Sequence, residues 1–385
     1  MIVCSSLCMP KDKYHVGNAI SAIYSELIAN YLYWERGEKV KLLSSPWNLH
    51  GLPYEKLFFE EHGVAGNYND ILLYAKRKVE LARSELASFA SDKWKESLYD
   101  TDIDFVDYTK EVFLRLVELG FIIKVDKNWV IDTKKIITKF EISDLLEPMK
   151  TFPANEKRTI IGQKNTFDGL YPISKNRAFT VKCCYKNEEI CINPIFQSII
   201  ISNFLCEKYQ SSKVSYFVCG SGFSSHKWHY YRQLISAALT GDTSIENIVF
   251  HGIILGEDNK PMSKHSDNCI SPRSLYDLID NKKFVRYFLI RCISNNNNPI
   301  NMRKIIAEYK KISGKLELLE NHTVCLVESK NEIYLDEIER YMKEYKFGIA
   351  LEMFYVYLKK TNFVATGEAG CSWRRVKRIY NIFFE

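Results

Sequence analysis

Two short stretches, far apart in the chain, combine residue types suited to phosphate chemistry. Near the amino end stands Tyr14-His15-Val16-Gly17-Asn18. An imidazole can donate to a phosphate oxygen, and a glycine lets a nucleotide approach the backbone closely. A helix starting here would add free amides and the positive end of its dipole. The same residues also fit a plain turn with a helix cap. The second stretch runs from Val249 to His265. It reads as a strand, a turn at Gly256-Glu257-Asp258-Asn259, then a Met262-Ser263-Lys264 loop. A lysine on such a loop can swing onto the charge that develops at a transferring phosphoryl group. Met-Ser-Lys alone also arises by chance.

The elements around the first stretch form a crossover. Ile2 to Leu7 is a short apolar run suited to a buried parallel strand. A loop, Met9 to Tyr14, leads into a helix from about Gly17 to Arg36, in which Ile20, Ile23, Leu27, Ile28 and Tyr31 make one buried face. Gly37 is a left-handed cap and Val40 to Leu43 a second strand. Strand, helix, strand is the unit of a doubly wound α/β sheet, whose ligands bind at the carboxyl ends of the strands. The His15 stretch lies there.

Further along, 68–100 reads as a helix, as does Thr109 to Gly120, followed by a strand at Phe121 to Val125. Residues 126–170 read as a polar connective insertion. Val214 to Val218 is a strand leading to Gly220-Ser221-Gly222, Trp228 to Leu239 a helix, and Ile248 to Phe250 a strand. From about 272 the pattern is helical apart from a strand at Thr323 to Val327. The chain thus divides into 1–125, 126–170, 171–271 and a helical 272–385.

Composition narrows the class. The 385 residues are 46% hydrophobic, 26% charged and 14% aromatic, which excludes disorder and fibrous repeats. No apolar run reaches the length of about 20 residues that a membrane span needs. The first residues lack the pattern of a secretory signal, so a cytoplasmic protein with reduced thiols is expected. Cys183-Cys184 with Cys191 could hold part of a zinc site, but no matching Cys-x-x-Cys or His-x-x-x-His pair lies nearby, and free thiols with no metal site are the expectation. The net charge of +6 suits a phosphate-bearing partner and equally a surface with a slight lysine excess.

Other segments fall in order around the two stretches: Pro46-Trp47-Asn48-Leu49-His50-Gly51-Leu52-Pro53-Tyr54-Glu55, then Pro172-Ile173-Ser174-Lys175-Asn176-Arg177, then Gly220-Ser221 followed by His226, then His251-Gly252. Together they resemble the class I aminoacyl-tRNA synthetases, in particular the leucine, isoleucine, valine and methionine group. His15-Val16-Gly17-Asn18 is similar to that family's His-Ile-Gly-His signature, and Pro261-Met262-Ser263-Lys264-His265 to its Lys-Met-Ser-Lys-Ser loop.

The resemblance implies a Rossmann-type catalytic domain that uses ATP to convert a carboxylate into an acyl-adenylate and pyrophosphate. It implies that His15, Asn18 and Lys264 act on the triphosphate, with Gly17, Gly220, Ser221, His226, His251, Met262 and Ser263 also around ATP. Cys8, Trp47, Asn48 and His50 would border the pocket for an amino acid or related acid. Mg²⁺ would accompany ATP. The acyl group would pass to a tRNA acceptor end or to another amine, such as a small molecule.

Several departures bear on function. Asn48 stands where the family carries an acidic residue for the substrate ammonium, and a neutral amide gives up a charge-assisted bond. The Gly220-to-His226 stretch has no acidic residue, and the loop has Pro261 and His265 in place of a lysine and a serine. The insertion is too short for an editing domain, and the residues after 315 are too few for a full anticodon bundle. The tail Cys371 to Tyr380 is basic; it suits a phosphate-rich partner, or an ordinary helix with Trp373, Val376 and Tyr380 packed inward. Three functions remain open on this reading: an adenylating ligase, a non-catalytic binding paralogue, and a different nucleotidyl transfer.

Overall fold

The structure is a computed structural model describing residues 1–6, 14–44, 47–90, 98–140, 142–163, 169–221, 223–262, 268–293, 299–321, 324–326, 332–365 and 371–385. The chain divides into two compact units. One comprises Met1–Asp12, Leu43–Arg83 and Lys95–Phe250; the other comprises Lys13–Leu42, Ser84–Trp94 and His251–Glu385.

The first unit is built on a five-stranded parallel sheet. Its order is Lys41–Ser44, Ile2–Ser5, Val214–Gly220, Ile245–His251, Lys150–Phe152. Val3 pairs with Tyr216 and Cys4 with Phe217, while Asn247 pairs with Lys150 and Val249 with Phe152. Val3, Cys4, Phe217, Val218, Ile248 and Val249 are wholly buried, as expected for parallel strands covered on both faces. Helices Ile103–Glu118, Pro194–Lys208 and Phe223–Thr240 supply the apolar cover. Asn193 caps the second of these by accepting from the Ile195 amide at 3.2 Å, and Pro194 occupies its first turn, where no backbone donor is needed.

Three elements differ from the sequence-based expectation. The helix expected at Thr109 to Gly120 begins at Ile103, with Asp102 at its cap. The helix expected over 68–100 runs Tyr68–Ala87. Within 126–170, Lys150–Phe152 joins the main sheet as its edge strand, and three residues carry no readable period. Cys183 and Cys184 lie in the hairpin of Lys182–Tyr185 with Glu188–Cys191. The first is buried and the second exposed, because successive strand residues face opposite ways. Among the described residues no cluster of His, Cys, Asp and Glu could hold a metal ion, and no helix is long and apolar enough to cross a membrane.

The second unit packs the helix Val16–Arg36 with Lys282–Cys292, Met302–Asn321, Glu332–Lys343, Phe347–Lys360 and Cys371–Phe384. Burial on the first of these goes beyond the expected apolar face. Ser21, Ser25, Glu26 and Asn30 are buried too, and each has a partner. Glu26 pairs with Arg286, Asn30 donates to Ile382 O at 3.2 Å, and Ser25 donates to Ser21 O at 2.8 Å. Gly37 ends the helix at φ 67°, the left-handed cap that its position predicts. Val324–Leu326 pairs antiparallel with Phe363–Ala365. In the terminal helix Trp373, Val376 and Tyr380 are buried. Arg375 pairs with Asp336 and Glu339, and Arg378 with Glu35 and Glu339. Two of its basic groups thus serve the fold.

Candidate active site

In the second unit, the start of helix Val16–Arg36 is a closed hydrogen-bond system. His15 is the cap residue, with extended backbone. Its Nδ1 accepts from the Gly17 amide at 3.1 Å, and Asn18 Oδ1 accepts from the His15 amide at 3.2 Å. This is a reciprocal capping box in which Asn supplies the returning acceptor. With Nδ1 accepting, the neutral imidazole carries its proton on Nε2. Asn18, accepting through Oδ1, keeps its Nδ2 hydrogens as donors. A Cβ on Gly17 would lie 2.9 Å from His15 Cε1, so glycine is what lets the ring fold over the helix end.

The expectation of free first-turn amides is corrected. Val16 N donates to Ile270 O at 2.8 Å, Gly17 N to the His15 ring, and Asn18 N to His15 O at 2.8 Å. At this half-buried helix end the donors are satisfied within the protein. Gripping an anion at this helix end therefore falls to side chains and the helix dipole rather than to backbone amides. No acidic residue stands in the first turn to oppose that dipole.

The second stretch meets this helix. His251 ends the strand Ile245–His251, and its ring is fixed at both nitrogens. Nδ1 lies 3.0 Å from Gly252 O and Nε2 lies 2.7 Å from Ser21 Oγ. A carbonyl can only accept, so Nδ1 donates and Ser21 donates to Nε2. Burial pushes this imidazole down to about 4, so it is neutral at physiological pH. His251 is 5% exposed.

Beyond it the chain forms a hairpin. Met262 N donates to Ile254 O at 3.0 Å, and Gly256 N to Lys260 O at 2.9 Å, with Asn259 at φ 59°. Asn268 Nδ2 reaches back to Asp258 at 3.0 and 3.2 Å. Both ends of segment 263–267 are thereby joined to one turn. Ser263 and Lys264 lie outside the described residues, as does Cys8.

In the first unit, Trp47, Asn48 and His50 follow the sheet strand Lys41–Ser44. Trp47 N donates to Leu98 O at 2.8 Å and Asp100 N to Trp47 O at 3.1 Å. Asp100 then receives the Leu49 and His50 amides at 2.9 and 3.0 Å. Burial pushes its carboxyl up, opposed by the His50 imidazole and these two amides. The His50 ring lies 2.8 Å from Gln197 Oε1 and 2.9 Å from Tyr68 Oη, packed against Phe179. Gln197 donates onward to Asp100 O at 2.7 Å. His50 is 1% exposed, so it shapes this region from within. Trp47 Nε1 and Asn48 Oδ1, by contrast, are buried and have no hydrogen-bond partner among the described residues. Gly220 closes the strand Val214–Gly220, and Ser221 follows it. His226, in the first turn of the next helix, lies 2.5 Å from Glu156 Oε2.

No profile of a known protein family matches the chain. It is similar to the isoleucine–tRNA ligase of Thermobifida fusca (strain YX), at 32% identity over 71 residues, 18% of this chain and 7% of that protein. It is also similar to a probable cytoplasmic isoleucine–tRNA ligase of Enterocytozoon bieneusi (strain H348), at 25% identity over 150 residues, 35% of this chain and 16% of that protein. The match thus spans less than a fifth of either relative. Two solved structures of Mycobacterium tuberculosis methionyl-tRNA synthetase, both with methionyl-adenylate, superpose at TM-scores of 0.70 and 0.71 with 14% and 15% identity. Each superposition covers 99% of this chain and 88% of the other. The chain has the fold of the class I aminoacyl-tRNA synthetase core.

On this synthetase fold, the sequence missed several positioning residues. Ser21, Tyr68, Asp100, Glu156, Phe179, Gln197 and Asn268 each hold a candidate site residue or the base of the loop, but all lie outside the matched motifs. None stands out locally; Ser21 is one of several polar residues on its helix, with Ser25, Glu26 and Asn30.

Proposed function

We propose that the protein uses ATP to adenylate an amino acid or related carboxylic acid, with release of pyrophosphate, and passes the acyl group to tRNA or another amine. One observation carries this reading. The capped helix start at His15 is hydrogen-bonded to chain on both sides of the Met262-Ser263-Lys264 loop, through Ser21 to His251 and through Val16 to Ile270. His15 Nε2–H and Asn18 Nδ2 would hold phosphate oxygens, and the Lys264 ammonium would stabilise charge growing on the α-phosphate.

The unpaired Trp47 Nε1–H and Asn48 Oδ1 support an acid pocket. An indole donor and an amide acceptor on consecutive residues can take up an acid's oxygen and its ammonium. Left unsatisfied, such groups cost about 1–3 kcal/mol each. Mg²⁺ would arrive on the triphosphate as part of the substrate.

Pyrophosphate exchange tests the proposal. Wild type should exchange label into ATP only with its acid present, and Lys264→Ala should lose about two decades of rate. Silence across proteinogenic and common non-proteinogenic acids, with ATP binding intact, would overturn it. A non-catalytic binding role on the same fold draws support from the full engagement of the His50 and His251 rings inside the protein. That reading requires Lys264→Ala to keep biological activity.

A further inference from the structure

In the first unit a cavity of about 320 Å³ opens at the amino ends of two sheet strands. Ser211 and Ser212 on its wall precede Val214–Gly220, and Thr243 and Ser244 precede Ile245–His251. Trp47 and Asn48 instead follow the carboxyl end of their strand, so the cavity lies at the other end of the sheet from the candidate acid pocket. Its volume falls at the lower end of the range of about 300–1,000 Å³ in which small molecules bind.

Two helices supply the groups that could recognise a ligand. Tyr108, Glu111 and Arg115 share one face of Ile103–Glu118, at spacings of three and four. Asn203 and Glu207 stand one turn apart on Pro194–Lys208. The exposed carboxylates of Glu111 and Glu207 have no ion pair or hydrogen bond among the described residues. Both act on the same phenol. Burial holds Tyr108 above the usual tyrosine range, and Glu207, Cys206 and Glu111 add to the rise.

The deciding group is Asn203, which is 7% exposed. Ser236 donates to Asp242 O at 2.8 Å, so it accepts from Asn203 Nδ2 at 3.2 Å. That contact fixes the amide, and its Oδ1 is buried with no partner among the described residues. Neighbouring donors are already engaged. Ser211 donates to Lys213 O at 2.8 Å, Thr240 to Ser236 O at 2.9 Å, and Arg115 Nη2 to Leu239 O at 3.1 Å. Asp242 is paired with Lys213 at 2.9 Å. The wall is therefore left with an unsatisfied buried acceptor and two uncompensated negative charges. An anion would be repelled by those charges. A neutral polyol would leave them uncompensated. An ammonium group brings three N–H donors and the matching charge.

We propose that this cavity binds a small organic cation through a primary ammonium group, with Asn203 Oδ1 as its buried acceptor and Glu111 and Glu207 as its counter-charges. The site goes beyond the ATP reading and does not depend on it.

Calorimetric titration of the full chain with putrescine, n-butylamine and 1,4-butanediol, at about 0.15 M salt, tests the proposal. Both amines should bind at one per chain, and at least about tenfold more tightly than the neutral diol, as a hydrogen bond to a charged group requires. Asn203→Leu should weaken putrescine by about tenfold. Glu111→Gln combined with Glu207→Gln should weaken it by about fivefold, the worth of two exposed charge contacts. Urea unfolding of each variant establishes that it folds. Where Asn203→Leu does not, the exposed double variant decides. Amines that fail to bind, or that bind no better than the diol, would overturn the proposal. Unchanged putrescine affinity in either folded variant would do the same, because the amine would then sit elsewhere. Pyrophosphate exchange is not the readout, so failure here is distinct from failure of the ATP reading.

Discussion

Replacing His15 separates the two jobs its ring performs. Nδ1 caps the helix Val16–Arg36 through the Gly17 amide, while Nε2–H is the proposed phosphate donor. His15→Ala removes both, and loss of a cap costs about 1 kcal/mol of stability. His15→Asn restores a good cap but has no second donor at the imidazole's reach, so its stability should stay within about 0.5 kcal/mol of wild type. A hydrogen bond to a charged group contributes about 1.5–3 kcal/mol. At 1.36 kcal/mol per decade, His15→Asn should therefore lower kcat/KM for ATP by roughly 10- to 150-fold. Urea unfolding reads the first quantity and pyrophosphate exchange the second. A His15→Asn protein that is as unstable as His15→Ala, or that exchanges at the wild-type rate, would refute the division of labour.

Three further outcomes follow from the geometry. Gly17→Ala would ordinarily stabilise a helix by about 0.4–1 kcal/mol; here the new Cβ meets the His15 ring, so urea unfolding should show no gain and exchange should fall. His251 has its imidazole pushed down to about 4 by burial, against an ordinary 6.5. The unfolded chain binds that proton first as pH falls. Its contribution is therefore intact above about pH 6.5 and drains away toward pH 4, by about 1.4 kcal/mol per pH unit at most. His251→Asn should flatten the urea-midpoint profile between pH 6.5 and 5 by about 2 kcal/mol, and an unchanged profile would contradict the burial argument. Arg286→Ala takes the guanidinium away from the buried Glu26 carboxyl and frees the Phe383 and Phe89 carbonyls that Arg286 now serves; it should destabilise by about 3–5 kcal/mol in urea.

Local pattern made much of the frame legible. The helix Val16–Arg36 and its Gly37 cap follow from apolar spacing and a single glycine, and the buried strands from short apolar runs. The order of short motifs was enough to expect the synthetase fold. What the sequence could not show is pairing at a distance. Glu156 and His226, His50 and Gln197, and Glu26 with Arg286 leave no periodic trace, because each partner reads locally as an ordinary polar residue. The edge strand Lys150–Phe152 was hidden for a different reason: three residues bounded by Pro153 are too short to carry alternation. The amides of the first helical turn looked available because a sequence does not show that Ile270 O closes one of them.

The central claim is that the His15 end of the helix and the Lys264 loop act on one triphosphate. A double-mutant cycle of His15→Asn and Lys264→Ala on acid-dependent pyrophosphate exchange tests it most directly. If both groups serve the same phosphates, the losses will fall short of additivity by about 1 kcal/mol or more. Strictly additive losses, within about 0.5 kcal/mol, would contradict it.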